Sequence, residues 1–111
     1  MSYDVHVTEA CLRDIASASD YIDFGLLNHE AAIKLEDDVE AAVNLLSDAP
    51  KSYALVADPL LASWGIRFTL VGNYIVFFLV DDDTQIVYAL RFLHEKQNWN
   101  RILRGEPDHD R

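Results

Sequence analysis

The spacing of apolar residues predicts a helix near the start of the chain. Its apolar positions recur at steps of three and four, which places them on one helical face: Leu12, Ile15, Ser19, Ile22 and Leu26. Thr8 precedes this stripe and is suited to be the N-cap, because its hydroxyl can accept a hydrogen bond from a free backbone N–H. Gly25 stands where a C-cap glycine ends a helix.

A second stripe of the same period predicts a second helix, which begins near Asn28 and ends before Pro50. Charged residues cover most of its other side, and its apolar positions are Ala32, Leu35, Val39, Ala42 and Leu46. Because only two or three residues join the two predicted helices, we expect an antiparallel helical hairpin with one shared apolar seam.

The period of the apolar positions changes to two in the second half of the chain. Turn sequences at 72–73 and 81–84 separate runs rich in β-branched and aromatic residues. They predict a three-stranded antiparallel meander whose middle strand is apolar, and therefore covered, on both faces. The predicted α+β order is a strand at 3–8, the helical hairpin, an irregular loop at 51–64, strands at 66–71, 74–80 and 85–91, and a short helix at 97–103.

The two turns also predict how the strands pair. A two-residue loop at 72–73 pairs Val71 with Tyr74, and a loop closed at 81–84 pairs Tyr74 with Arg91. The face that we expect to pack on the helices then holds Ile66, Phe68, Leu70, Ile75, Phe77, Leu79, Ile86, Tyr88 and Leu90. The opposite face, which we expect to form an open cleft, holds Arg67, Thr69, Val71, Tyr74, Val76, Phe78, Val87, Ala89 and Arg91.

Charge is distributed unevenly along this acidic chain. The chain has 19 Asp and Glu against nine Lys and Arg, a formal net charge of −10. Such a balance repels nucleic acid unless cations are concentrated locally. Residues 1–60 have a net charge of −9, whereas residues 84–105 have a net charge of +3. The short basic segment is therefore the part of the chain suited to face an anion.

Length and composition limit the remaining possibilities. A chain of 111 residues has the size of one domain, and we expect residues 1–111 to share one core. A single cysteine excludes an internal disulfide, and no Cys or His cluster has the spacing of a metal site. The first residues lack the apolar core of a signal peptide, and no apolar run approaches the ~20 residues of a membrane span. We expect a cytoplasmic protein without a metal or other cofactor.

Three stretches follow one another in a recognisable order: Gly65-Ile66-Arg67, the run from Val71-Gly72-Asn73-Tyr74 to Phe78, and Arg91-Phe92-Leu93-His94 followed by Lys96-Gln97-Asn98-Trp99. Their order and spacing resemble the RelE/ParE superfamily of type II toxin–antitoxin toxins. The resemblance covers nearly the full length of the chain. It implies a small toxin that a cognate antitoxin binds and neutralises in a hetero-oligomer.

Many members of this superfamily cut messenger RNA on the ribosome, so the resemblance implies a metal-free endoribonuclease as the first hypothesis. Such a transphosphorylation needs a base, an acid and cations that stabilise the phosphorane. Histidine is suited to proton transfer near neutral pH. The candidate catalytic residues are Arg91, His94 and Lys96, and the candidate substrate-binding residues are Arg67, Tyr74 and Trp99.

The chain also departs from the ribonuclease pattern. Many nucleolytic members have an arginine after the turn tyrosine, where this chain has Ile75. They often have a glycine and paired arginines after the last strand, where this chain has Glu95, Lys96 and Gln97. Because each departure removes positive charge, the alternative hypothesis is a non-nucleolytic ParE-like inhibitor of DNA gyrase, or an inert module that binds the antitoxin.

Three of the candidate residues also have a simpler structural interpretation. Trp99 has the helical spacing of an apolar residue that docks a terminal helix on the sheet. His94 can equally be an exposed loop histidine. Arg67 lies ~13 Å along the predicted sheet from the level of Arg91, which is too far for one phosphate to contact both.

Overall fold

The computed structural model describes residues 2–105; residues 1 and 106–111 of the predicted domain lie outside the described part. In chain order the elements are β1 (Asp4–Val7), α1 (Glu9–Asp20), a π-helical turn (Tyr21–Gly25), α2 (His29–Leu45), a 3-10 turn (Pro50–Ser52), α3 (Pro59–Ser63), β2 (Arg67–Val71), β3 (Tyr74–Asp81), β4 (Ile86–His94) and α4 (Trp99–Arg104). The predicted α+β order of strand, helical hairpin, meander and terminal helix is confirmed.

The strands form one sheet with the order β1-β4-β3-β2. β2, β3 and β4 are the predicted antiparallel meander, and β1 adds a parallel partner to the outer side of β4. A parallel pair requires a long crossover connection. Here the crossover contains the helical hairpin, which lies across one face of the sheet.

The face of the sheet that packs on α1 and α2 is the opposite of the predicted one. It joins helix residues in one core cluster: Cys11, Val39, Val43, Leu46, Val71, Val76, Phe78, Val87, Ala89 and Phe92. The predicted core face instead packs against α3, α4 and the chain before α3, in a second cluster of Val56, Leu61, Ile66, Ile75, Phe77 and Leu93. The predicted open cleft is therefore wrong, because α1 and α2 cover the face that was expected to form it.

The middle strand explains why the faces were assigned incorrectly. Val76, Phe77 and Phe78 are at most 1% exposed, so β3 is buried on both faces, as predicted. In a strand of this kind both sets of alternating residues are apolar. The pattern therefore shows that two layers cover the strand but does not show which layer contains the long helices.

The predicted register is correct in one hairpin and wrong in the other. Val71 pairs with Tyr74, as the Gly72-Asn73 turn predicted. The next loop closes between Asp81 and Ile86, so Tyr74 pairs with His94 instead of Arg91.

A β-bulge in the middle of β4 adds to this shift. Ala89 lies opposite Phe78 and Arg91 lies opposite Phe77, which leaves Leu90 with no residue opposite it. Beyond the bulge, the consecutive residues Arg91 and Phe92 both face the helical hairpin: Arg91 binds α1, and Phe92 belongs to the cluster under the helices.

The first helix begins as predicted and ends differently. The Thr8 side chain accepts a hydrogen bond from the Cys11 N–H at 3.2 Å, which confirms the N-cap. The helical path continues as the π-helical turn, and Leu27 rather than Gly25 takes the left-handed conformation, with φ 54°. Gly25 serves a different purpose, because a Cβ there would lie 2.9 Å from Cδ1 of Tyr21.

The second helix begins where it was predicted to begin. The Asn28 side chain accepts a hydrogen bond from the Ala31 N–H at 3.1 Å. Ala32 and Val39 from the predicted stripe are buried, and Ser19 of α1 donates a hydrogen bond to Glu36 across the helical hairpin. The predicted seam between the two helices is confirmed.

The predicted irregular loop at 51–64 contains a short helix, α3. The Asp58 side chain accepts hydrogen bonds from the N–H groups of Leu60 and Leu61 at 3.0 and 3.1 Å, and Pro59 occupies the first turn. Nη2 of Arg104 in α4 donates to the same carboxylate at 2.6 Å. Asp58 thus begins one helix and holds another against it.

Candidate functional site

A shallow pocket of about 320 Å³ lies where the end of β4 meets α1. α1 and the π-helical turn form one wall, the first residue of β3 and the last residues of β4 form the other, and the segment after β4 closes one side. The polar and aromatic side chains that line it are Asp14, Ser17, Tyr21, Tyr74, Phe92, His94 and Gln97. Two of the predicted site residues, Tyr74 and His94, therefore share one pocket.

Tyr74 and His94 are directly opposite each other at the end of the β3–β4 pair. Their ring centroids are 5.1 Å apart in an edge-to-face arrangement, and the Tyr74 ring also stacks on Phe92 with centroids 4.8 Å apart. Partial burial, together with the nearby Tyr21, raises the pKa of the Tyr74 hydroxyl. Tyr74 is therefore a fixed, neutral wall of the pocket with a hydroxyl that can donate a hydrogen bond.

Local backbone contacts fix the orientation of His94. Its Nδ1 accepts a hydrogen bond from the Lys96 N–H at 3.1 Å, and its own N–H donates to Oε1 of Gln97 at 2.8 Å. A neutral imidazole that accepts at Nδ1 carries its proton on Nε2. Within residues 2–105 this Nε2 makes no hydrogen bond, so neutral His94 can donate one proton to a bound group.

Arg91 is bound by an acid of the same chain. Its Nε and Nη2 donate to the two carboxylate oxygens of Asp14 at 2.6 and 2.9 Å. The Phe92 N–H donates to the same carboxylate at 3.0 Å. The hydrogen bond with Asp14 raises the pKa of the Arg91 guanidinium above its ordinary value. The pair is bidentate and sheltered, which is the strongest form of an arginine–carboxylate contact.

The other predicted cation of the site lies outside the pocket wall. Lys96 is exposed, and its side chain makes no ion pair within the part of the chain that the structure describes. It follows His94 by two residues, in the turn that leads to α4. Lys96 is thus an exposed charge near the pocket, and no side chain among residues 2–105 holds it in position.

Arg67 and Trp99 do not join the pocket. Nη1 of Arg67 donates to the backbone carbonyl of Tyr53 at 2.6 Å, and the residue lies at the far end of β2. Trp99 packs on Phe77 with ring centroids 5.2 Å apart, in the cluster on the other face of the sheet. Their positions indicate structural contacts, in which Arg67 holds the chain before α3 and Trp99 docks α4.

The pocket supplies only part of a ribonuclease site. His94 can act as one proton donor, but the described residues around it provide no second imidazole and no arginine free to contact a phosphorane. Stabilisation of that charge is usually the largest contribution to such catalysis. Within residues 2–105, no group of three or more His, Cys, Asp or Glu is arranged to bind a metal ion.

Asp14 is the charged residue of the pocket that the sequence reasoning missed. It follows the buried Cys11 by three positions and precedes Ile15, so the helical period places it near the apolar face of α1. A carboxylate in such a position needs a partner, because an unpaired buried charge is costly. That signal was present in the sequence, but it did not identify Arg91 as the partner.

No helix among residues 2–105 is both long and apolar enough to cross a lipid bilayer.

The chain is similar to known proteins in sequence pattern and in fold. A family model described as the ParE toxin of the type II toxin–antitoxin system parDE matches residues 5–99. The chromosomal ParDE toxin–antitoxin system from P. aeruginosa contains a similar chain, with a TM-score of 0.67 and 18% identity over 84% of this chain and 96% of that one. The RelBE2 toxin–antitoxin complex from Mycobacterium tuberculosis contains another, with a TM-score of 0.57 and 23% identity over 85% of this chain and 99% of that one. No curated protein matches the chain.

The fold and these matches define a toxin of the RelE/ParE superfamily, as the sequence resemblance implied. Within that superfamily the chain belongs to the ParE family of toxins from type II toxin–antitoxin systems.

Proposed function

We propose that this toxin acts in the cytoplasm without cutting RNA, by inhibiting DNA gyrase, and that a cognate antitoxin neutralises it. The observation that carries this proposal is the bidentate Arg91–Asp14 pair. It reverses the preference of the sequence analysis, which placed ribosome-dependent RNA cleavage first. Family membership supports a toxin, and the chemistry of the pocket argues against the nuclease.

The argument depends on where positive charge is available. In-line attack on a phosphodiester places negative charge on the oxygens of the phosphorane, and fixed cations must meet that charge. Arg91 already donates to both oxygens of Asp14, and exposed Lys96 is held by no carboxylate among residues 2–105. With a net charge of −10, the chain also repels the phosphates of ribosomal RNA. A protein target such as gyrase imposes neither requirement.

The proposed antitoxin partner rests on two observations. The solved relatives described above are toxin–antitoxin complexes. In addition, residues 1–60, which include the helical hairpin, have a net charge of −9, and this charge attracts a basic partner from a distance. The product of a neighbouring reading frame with a basic segment is expected to copurify with this chain and to restore growth when the two are coexpressed.

Two assays, one on the purified chain and one in cells, test the target. We expect the purified chain to block the supercoiling of relaxed plasmid by DNA gyrase. In cells that express it without the antitoxin, we expect primer extension to find no new 5′ ends in messenger RNA. New ends on ribosome-bound messages, together with normal supercoiling, would contradict the proposal.

A matched pair of variants separates the two mechanisms in cells. A His94→Ala, Lys96→Ala double variant removes the acid and the nearest free cation of the nuclease hypothesis, and we expect growth arrest to persist. A His29→Ala, Lys34→Ala double variant changes the same residue types on exposed positions of α2 and serves as the control. Loss of arrest in the first double variant alone would favour the nuclease.

The second candidate function is the endoribonuclease itself, and one observation favours it. His94 lines the pocket beside the ring of Tyr74, and its Nε2 makes no hydrogen bond with residues 2–105. A general acid and an aromatic surface for a base are two of the parts that RNA cleavage uses. Primer extension distinguishes this candidate directly, because only a nuclease produces new RNA ends.

A further inference from the structure

The contacts of Asp14 have the form of an anion-binding site that is already occupied. The Arg91 guanidinium presents two donors to the two carboxylate oxygens, and the Phe92 N–H provides a third donor. Two parallel guanidinium donors with a neighbouring backbone N–H are also the groups with which proteins bind phosphate. We call this set of donors, from Arg91 and Phe92, the anion cradle.

The cradle is built by the fold around it. Leu90 has no residue opposite it in β3, and beyond this bulge the Phe92 N–H is directed at α1. Bulges commonly redirect a strand in this way next to functional sites. Asp14 has a side chain only 13% exposed and also lines the 320 Å³ pocket with Tyr74 and His94. The cradle therefore opens onto the pocket at the position that the Asp14 carboxylate fills.

We infer that Asp14 is an internal occupant of this cradle, and that it closes the pocket to phosphate groups, including those of RNA. A phosphate competes for the same three donors, but it must displace the Asp14 carboxylate. That carboxylate is covalently tethered beside the donors, and its negative charge repels the phosphate. A tethered group has a high effective concentration at its site. The inference deepens the proposed function, on which it rests, because it names the residue that keeps the pocket from binding an RNA backbone.

The inference predicts that removing the occupant uncovers a phosphate site. In Asp14→Ser the carboxylate is lost while the donors of Arg91 and Phe92 remain. A ligand that binds only the folded state stabilises that state. At a phosphate concentration ten times the Kd for the variant, inorganic phosphate should therefore raise the Tm of the variant by about 5 °C. The natural protein should show no such shift. For each protein, the Tm in phosphate is compared with the Tm in chloride at the same ionic strength, so that general salt effects cancel.

Two further variants show that the effect comes from the cradle. Asp38→Ser removes the same charge from the exposed Lys34–Asp38 pair on α2, and phosphate should not shift its Tm. Asp14→Ser, Arg91→Gln should lose the shift because the guanidinium is gone. If Asp14→Ser folds poorly, Asp14→Asn keeps the shape of the side chain with the charge removed, and phosphate should still bind it more tightly than it binds the natural protein.

The same proteins should differ in RNA binding. A labelled single-stranded oligoribonucleotide is expected to bind Asp14→Ser at least tenfold more tightly than the natural protein in fluorescence anisotropy. An equal phosphate shift in the natural protein and Asp14→Ser, or no shift in a folded Asp14→Ser, would overturn the inference. Neither result depends on the gyrase assay, which uses the natural protein, so the failure of one proposal is distinct from the failure of the other.

Discussion

The side chains of Arg91 and Asp14 are 30% and 13% exposed, whereas those of Lys34 and Asp38 on α2 are 75% and 48% exposed. Both are arginine- or lysine-to-carboxylate contacts, but water screens the second pair almost fully. The distinction determines what each contributes to stability. Breaking a sheltered pair leaves a poorly solvated charge, whereas breaking an exposed one leaves a charge that water solvates at once.

Arg91→Ala should therefore lower the free energy of unfolding by about 3 kcal/mol, because Asp14 loses its partner in a mostly buried position. Lys34→Ala should lower it by less than about 1 kcal/mol. Urea denaturation followed by circular dichroism measures both values under the same conditions. Equal losses in the two variants would show that the Arg91–Asp14 pair is no better shielded than the surface pair.

Leu27 provides a second test at the scale of one residue. It is 85% exposed and has φ 54°, a conformation that costs an L-residue with a Cβ roughly 1–2 kcal/mol. Leu27→Gly should remove that strain and raise the Tm by a few degrees, less the extra chain entropy of glycine. Leu26→Gly is the control, because Leu26 has φ −99° and glycine there should lower the Tm. A lower Tm for both variants would contradict the strain argument.

At the scale of elements, two side-chain contacts connect the parts that cover the second face of the sheet. Asp58 caps α3 and binds Arg104 of α4, while Trp99 packs on Phe77 beneath them. Burial alone would raise the pKa of Asp58, but hydrogen bonds from the Leu61 N–H and from Arg104 outweigh it and hold the pKa below the ordinary 3.8. The docking of α3 and α4 is therefore linked to pH.

A carboxyl group with a lowered pKa in the folded state stabilises the fold at neutral pH and stops doing so when acid protonates it. Asp58→Asn should lower the Tm at pH 6, because the charged cap and the ion pair with Arg104 are lost. The difference from the natural protein should shrink as the pH falls below about 4. Thermal unfolding from pH 6 to pH 3 measures it. A difference that stays constant over this range would show that the charge of Asp58 contributes nothing.

The extent to which these elements could be predicted depended on local signals. Gly72-Asn73 specifies its own turn, so the β2–β3 register was predicted correctly. The loop after β3 contains Gln85 at φ 58°, which no residue preference indicates, and no local sequence signal marks the bulge at Leu90. Asp58-Pro59 was a readable helix start that the loop assignment overlooked. The Arg91–Asp14 contact joins two distant parts of the chain, and no local pattern encodes it.

At the scale of the whole molecule, charge is abundant but little of the positive charge is free. At least five basic side chains among residues 2–105 lie within 4.0 Å of a carboxylate: Arg13, Lys34, Lys51, Arg91 and Arg104. The basic segment that the sequence indicated near the C-terminus is thus partly neutralised by acids from α1 and from the start of α3. The long-range field remains that of an anion, which favours a basic protein partner over RNA.

Cys11 reports on the stability of the whole fold, because it is the only cysteine of the chain and is fully buried in the cluster between α1, α2 and the sheet. Burial, with the negative charge of Asp14, raises the pKa of its thiol to about 12, so at pH 8 hardly any reactive thiolate exists in the folded state. Alkylation by iodoacetamide at that pH therefore requires opening of the core.

We expect alkylation of Cys11 at pH 8 to be at least about a thousandfold slower in the native protein than in 6 M urea, in line with the stability of small domains. The control is Cys11→Ala, Ala16→Cys, which moves the thiol to an exposed position on the same helix and should react at the rate of the unfolded chain. Rapid alkylation of the folded natural protein would show that α1 separates from the sheet without global unfolding.

The Cys11 thiol also links the stability of the fold to alkaline pH. Because the pKa of the thiol is raised on folding, its contribution to stability is complete below the ordinary value of 9.0 and is lost as the pH rises towards 12. The Cys11→Ala variant should therefore lose less stability than the natural protein over that interval.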